Sequence, residues 1–351
     1  FDGQRVTMAS QMSEADETVS SLYSVKSEQA TMLSFDTYNY LVHYFGQPQG
    51  SMSDDPNGTL GGDYEFIISS ASAERIELKG KKYGNRIVMK ALTEDQTWKQ
   101  YLTKIKKVED DAFFYEYDLL MDGLYTGQMI RSNYTFIVTY YDEIGKVHQK
   151  TVPFMFTADG LRFHEPVTID GQTMQNFVWK NELISFVCTD EGATGVKLAG
   201  VYTAGYQSYD YYPGTYQMDF YRLNDETGQL EVASQEVRLL KNEDGKSYWL
   251  KGLEYDILVM YDKPRGGLSV SPQLLEKVQG GYVYLAMWDV MNDYVLRNKS
   301  IGLISYATTN GIYLVDNGVW MGEVSGFIFG VYNSQEEDAA FIGYTDAVAS
   351  I

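Results

Sequence analysis

Eight aromatic residues crowd positions 202 to 221: Tyr202, Tyr206, Tyr209, Tyr211, Tyr212, Tyr216, Phe220 and Tyr221. Between Gly205 and Gly214 the rings are too dense for strict alternation along a strand, so some must face outward or lie on a loop. Flat rings beside polar groups suit a sugar face or a protein interface, because they offer wide contact at small entropic cost. Tyr206, Tyr209, Tyr211 and Tyr212 are therefore the candidate ligand-binding residues. The competing reading is that the same rings pack a core or protect a sheet edge.

A second candidate is electrostatic. From Glu74 to Lys107 there are ten basic residues against four acidic ones, in a chain whose net charge is −20. Lys81, Lys82 and Arg86 form the centre of this basic rim, which could dock an acidic glycan, a cell surface or the protein's own acidic half. A solvated face of hairpin and helix is the plainer reading.

Other chemistries fail on spacing. His164 and Glu165 begin like a zinc-protease helix, but Pro166 follows, and Thr168 stands where the second histidine is needed. His43, His148 and His164 are the only histidines, too few for a histidine-rich metal site. The run from Gly80 to Gly84 lacks the Gly-Lys-Ser/Thr order of a phosphate loop and opens a strand instead of a helix. No Gly-x-Ser-x-Gly elbow occurs. Asp54 to Gly58 offers oxygen ligands for a weak cation site, without the terminal glutamate of a calcium loop. Cys188, the single cysteine, lies in an apolar run and reads as a buried inert thiol. No catalytic residue, metal or cofactor is assigned. With 48 acidic residues, a carboxylate pair for glycoside hydrolysis is not legible in a β protein, so a hydrolase stays as an alternative.

These residues need a frame of strands. Thirty tyrosines, 32 glycines and only 7 prolines in 351 residues favour many short strands and turns. The alternation in Tyr64 to Ile68 and Arg75 to Leu78, with a third strand over Arg86 to Leu92, predicts an antiparallel meander. After it the period changes: Thr93 to Gln96 has the form of a capping box, and Trp98, Tyr101, Leu102, Ile105 and Val108 follow at helical spacing. One amphipathic helix near 94–108 is expected, packed against the sheet. Strands then resume. Thr189 to Lys197 is the softest compositional break, which predicts two domains, 1–190 and 191–351, the second again antiparallel β. Asp316, Asn317 and Gly318 between apolar runs read as a hairpin turn.

No apolar run approaches the ~20 residues of a membrane-spanning helix. The acidic balance disfavours nucleic acid as a partner. The opening residues Phe1 to Met8 read as a turn feeding a strand, which suggests that an upstream segment with an export signal or lipid-anchor cysteine precedes them.

Three blocks carry a resemblance: LSFDTYNYLVHYF, GDYEFIISSASAERIELKGKKYGNRIVM, and VPFMFTADGLRFHEPVTIDGQTMQNFVW. Over most of residues 20 to 190 the chain resembles the Bacteroidetes exported lipoproteins grouped as domain-of-unknown-function family 4302. That resemblance implies a lipid-anchored protein of the bacterial outer membrane, at the cell surface or periplasmic face, in a nutrient-uptake setting, with no catalytic residues to carry over. The meander also looks like the strand order of lipocalin-like folds. The expected architecture is mainly β: a lipocalin-like barrel or sandwich with one packed helix, then a second β-sandwich-like domain. The expected function is non-catalytic binding of a glycan, peptide or partner protein by a monomer. A hydrolase, or a scaffold without a small ligand, is the alternative.

Overall fold

A computed structural model describes residues 1–349 apart from positions 12, 28–29, 47–60, 94, 143, 225 and 337–338. The candidate cation loop Asp54 to Gly58 lies outside the described residues. The chain divides into two compact units, Phe1–Gly200 and Val201–Ile351.

Six strands open the first unit and pair in chain order: β1 (Arg5–Met8), β2 (Val19–Ser27), β3 (Thr31–Phe35), β4 (Glu65–Ala71), β5 (Arg75–Gly80) and β6 (Arg86–Lys90). The predicted meander is β4 to β6. Its inward residues Phe66 and Leu78 meet Val6, Leu33 and Phe35 in a small core of their own. The ambiguous stretch around Tyr40 is a four-residue helix, α1 (Tyr40–His43), started by Asn39, whose side chain accepts the Leu41 N–H.

Helix α2 (Trp98–Asp111) starts later than the Thr93 signal implied. Thr97 is the cap: its hydroxyl accepts the Gln100 N–H at 3.2 Å, and the Gln100 side chain accepts the Thr97 N–H at 2.9 Å. Leu102, Ile105 and Val108 are buried as predicted, whereas Trp98 falls on the exposed side.

The closed barrel is made by the eight strands after the helix and not by the opening meander. In order these are β7 (Glu116–Met121), β8 (Leu124–Ser132), β9 (Thr135–Tyr141), β10 (Val147–Phe156), β11 (Gly160–Ile169), β12 (Gln172–Lys180), β13 (Ser185–Cys188) and β14 (Val196–Val201), with β14 closing on β7. The predicted domain break at Thr189 to Lys197 is the β13–β14 connection, and the unit ends at Gly200 because β14 is needed for closure. An eight-stranded barrel can be filled by side chains or hold one small ligand. This one is filled. Tyr117, Leu119, Phe136, Phe154, Phe163 and Phe186 are inaccessible, and the Phe136 and Phe154 rings stack at 4.3 Å. Tyr117 donates its hydroxyl to the carbonyl of Ala112 at the end of α2 (2.8 Å), joining helix and barrel core.

The second unit is one twelve-stranded sheet. Its strands are β15 (Gly214–Leu223), β16 (Leu230–Lys241), β17 (Ser247–Lys251), β18 (Ile257–Asp262), β19 (Gly267–Val270), β20 (Gln273–Val278), β21 (Gly281–Asp289), β22 (Tyr294–Leu296), β23 (Leu303–Thr308), β24 (Gly311–Asp316), β25 (Gly326–Tyr332) and β26 (Phe341–Ala349). They run in the order β20-β21-β25-β26-β15-β16-β17-β18-β19-β23-β24, with β22 added to β21. Leu239, Tyr248 and Val259 from one half share a core with Leu285, Phe327 and Phe329 from the other, so the sheet curls until both inner faces meet.

Asp316 to Gly318 does not form the predicted hairpin. It ends β24, whose partner β23 is reached through a turn at Thr309 and Asn310. The apolar run after it is not one strand either: Trp320 donates its indole N–H to the buried Asp289 carboxylate at 3.0 Å, which holds a loop until β25 begins at Gly326. Among the described residues no helix is long and apolar enough to cross a membrane.

Candidate functional site

The tyrosine-rich segment leads into β15, and its rings mostly fasten it to the sheet. Tyr212 is 1% exposed and donates to the Gly266 carbonyl at 2.8 Å. Tyr209 donates to the Ser247 carbonyl at 2.8 Å while Tyr248 donates back to the Tyr209 carbonyl at 2.7 Å, and the two rings stack at 4.6 Å. Tyr261 donates to the Gln207 carbonyl at 2.8 Å and lies 3.2 Å from the Tyr206 hydroxyl. Gly266 has φ +62° and no room for a Cβ beside the Tyr206 ring. Burial pushes the phenols of Tyr206, Tyr209 and Tyr212 upward, as it does those of Tyr248 and Tyr261. The four candidates therefore do not form one platform. Tyr212 belongs to the core, Tyr206 and Tyr209 are half-buried, and Tyr211 is 46% exposed.

A more open surface lies on the outer face of β16 to β19 and β23 to β24. Tyr248 and Leu250 face the core, so alternation turns Trp249 outward, between Leu240 on β16 and Leu258 on β18. Trp249 lines a hollow of about 440 Å3 with Lys251, Glu254, Tyr255, Asp256 and Leu275. Lys251 and Asp256 are paired at 2.7 Å on its edge, and the Tyr255 ring rests on the core ring of Phe329 at 5.3 Å. A row further along carries Met260, Ser269, Ile304 and Val315, and beyond it Tyr306 and Tyr313 stack at 5.1 Å, 49% and 44% exposed. Sequence reasoning missed Trp249. The signal was present in the alternation of Ser247 to Lys251 beside a turn rich in charge.

The basic rim is answered partly by acids outside its own stretch of sequence and partly by Glu77 within it. Lys81 pairs with Glu65 at 3.0 Å, Lys99 with Asp16 at 3.2 Å and Lys107 with Asp111 at 2.7 Å. Arg75 and Arg86 converge on Glu77, whose carboxyl is held below the usual range by Arg75 first and then Arg86. The Lys82 ammonium lies 4.6 Å from the centre of the Tyr83 ring. The turn from Gly80 to Asn85 has its donors taken by Asp63, which accepts the Lys82 N–H at 2.7 Å, the Tyr83 N–H at 3.1 Å and the Asn85 amide at 3.1 Å. Gly80 is required there, because a Cβ would collide with that carboxylate.

The histidines are separated on different elements. His43 stacks on Tyr64 at 5.1 Å, His148 lies 2.9 Å from Asp142 and stacks on Tyr140, and His164 is exposed on β11. Among the described residues no cluster of His, Cys, Asp and Glu is arranged to hold a metal. Cys188 is buried, and burial pushes its thiol up to about 11. Asp118 has a carboxyl raised by burial and then by Glu116. The two carboxylates stand two residues apart on the outer face of β7, opposite the buried Tyr117 and Leu119, and do not face each other across a cleft.

A family model described as Domain of unknown function (DUF4302) matches residues 1–181, and a second, DUF4987, also a domain of unknown function, matches residues 189–329. No curated protein and no solved structure matches the chain.

Proposed function

The chain belongs to the family described as Domain of unknown function (DUF4302), and from the geometry of its second unit we propose that it is a non-catalytic binding protein that takes a glycan in the Trp249 hollow. The observation that carries this reading is a half-buried indole flanked by a lysine–aspartate pair and Glu254 in a hollow of about 440 Å3. An indole face stacks on the C–H face of a pyranose, while carboxylates and an ammonium exchange hydrogen bonds with ring hydroxyls. Glu254 and Asp256 beside a single lysine favour a neutral sugar over an acidic one. Of the four tyrosines singled out in the sequence, Tyr211 has the most open ring, 46% exposed. The resemblance to exported lipoproteins supports a lipid-anchored setting at the bacterial envelope, where such binding would serve nutrient uptake.

The test is a binding screen of the purified chain against neutral and uronic-acid polysaccharides by affinity electrophoresis and calorimetry. Trp249→Ala should weaken binding by at least about tenfold, as expected for a central aromatic anchor. Tyr209→Ala and Tyr211→Ala separate a core effect from a contact effect, since only the second leaves the fold unchanged. No glycan bound, or binding indifferent to Trp249→Ala, sinks the proposal. Release of reducing ends would point to a hydrolase instead.

A further inference from the structure

The two ends of the twelve-stranded sheet are built differently. The β20 edge carries Glu276 and Lys277 and breaks register against β21 between Leu274 and Glu276. Charge and a bulge are the usual devices that stop an edge from pairing with another chain. The β24 edge has no bulge, and its one charge sits at its last residue. Its six residues, Gly311-Ile312-Tyr313-Leu314-Val315-Asp316, pair with β23 in unbroken register, and Asp316 is the one charged residue between Leu303 and Asp316. No strand among the described residues lies on its far side.

The direction of its free hydrogen-bonding groups follows from one bond. The Asn317 N–H donates to the Gly302 carbonyl at 3.0 Å, one step beyond the Leu303 and Asp316 pair. Hydrogen-bonded pairs alternate along an antiparallel ladder, so Gly311, Tyr313 and Val315 turn their backbone groups toward β23. Ile312, Leu314 and Asp316 turn theirs outward. Their side chains behave oppositely: Ile312 and Leu314 pack on the core, while Tyr313 and Val315 stand on the open face.

We propose that β24 is a dimerisation edge, to which a second copy of this chain adds antiparallel about a two-fold axis normal to the sheet, with Leu314 opposite Leu314 of the copy. This replaces the monomer expected from sequence. That register uses every outward N–H and C=O of Ile312, Leu314 and Asp316, and it sets Tyr313 against Val315 of the copy, an aromatic on a β-branched residue. Two-fold pairing consumes the β24 edge of both copies, so no third copy can add at that edge and assembly through it stops at two. Each copy carries a net charge of −20, which opposes association, and a hairpin nearly free of charge adds least to that repulsion at the contact. Added salt should therefore tighten the dimer.

Sedimentation velocity of the full chain over a concentration series, at low and high salt, tests this. The wild-type chain should pass from monomer to dimer and go no further. Tyr313→Glu with Val315→Glu sets like charges opposite each other in the pairing and should raise the dissociation constant by at least about tenfold. Tyr313→Lys with Val315→Glu, at the same exposed positions, sets opposite charges together and should restore association. Leu274→Lys on the β20 edge should change nothing. If the double glutamate variant melts the hairpin, Tyr313→Lys with Val315→Lys gives the same like-charge arm. A wild-type chain that stays monomeric, association that continues past two copies, pairing only with an added extended peptide, or a like-charge variant that dimerises as well as wild type each overturns the proposal.

Discussion

The barrel of β7 to β14 and the sheet of β15 to β26 are built from the same material, short antiparallel strands rich in aromatic residues, yet they use it in opposite ways. In the barrel every strand has two neighbours, one face of the closed sheet is the interior, and Tyr117, Phe136, Phe154 and Phe186 are spent on filling it. In the second unit the sheet keeps two ends and an outer face, and Trp249, Met260, Tyr306 and Tyr313 stand on that face. Closure decides the difference. A filled barrel offers no interior for a ligand, so its lipocalin-like outline says little about binding, whereas the open sheet carries aromatic surface that its own core does not use. The tyrosine segment makes the same point inside one unit: Tyr212 and Tyr211 are chain neighbours, one with its hydroxyl on Gly266 in the core and the other turned to solvent. The number of rings does not mark a site. What each ring touches does.

The contrast can be broken most directly at Phe136. It is inaccessible, stacked on Phe154 and edge-on to Tyr117 at 5.6 Å, so Phe136→Ala should cost about 3 to 5 kcal/mol of stability through lost burial and an unfilled cavity. Urea unfolding followed by tyrosine and tryptophan fluorescence measures it. A loss below about 1 kcal/mol would mean that the barrel interior is loosely packed and that a ligand space exists after all.

A smaller effect sharpens the same interior through pH. Burial holds the Cys188 thiol neutral in the folded barrel, with its pKa raised from 9.0 to about 11. The unfolded chain gives up that proton first. The stabilisation is therefore complete below about pH 9 and is lost as pH rises through about 11, an effect of about 3 kcal/mol. Buried tyrosines such as Tyr332, pushed up to about 12, add a loss of the same sign. Comparing stability against pH for the wild type and Cys188→Ala isolates the thiol, since only the wild type should show the extra fall between pH 9 and pH 11. Parallel curves would place the thiol in contact with water.

Local pattern was legible and closure was not. Strands β4 to β6 and helix α2 announce themselves because alternation and helical period are properties of adjacent residues. The start of α2 slipped because two successive threonine-led segments can cap a helix, and the reciprocal bonds form at Thr97 with Gln100. The barrel is another matter: β14 completes it by meeting β7, some eighty positions earlier, and nothing in the short run from Val196 to Val201 reports that partner. How deeply each tyrosine is buried was illegible for the same reason. Whether Tyr209 binds a sugar or holds a loop depends on the Ser247 carbonyl, a contact no spacing within the segment reveals. Trp249 was readable in principle, since a core-facing Tyr248 forces its neighbour outward.

The smallest effect expected is also the one that most sharply defines the open face. Tyr306 and Tyr313 stack across β23 and β24 at 5.1 Å with planes 14° apart, and both are about half exposed. Cross-strand aromatic pairs add only about 0.5 to 1 kcal/mol when water reaches them, because much of the ring area was never removed from solvent. A double-mutant cycle with Tyr306→Ala, Tyr313→Ala and both together should return a coupling in that range, read from urea midpoints at a protein concentration low enough to keep the chain monomeric. Coupling above about 2 kcal/mol would show that the rings behave like the buried stack of Phe136 and Phe154, and the distinction between a filled barrel and a presenting sheet would not hold at this hairpin. A value near the expected one means that folding asks little of these two tyrosines, which leaves their surface available for contact with another molecule.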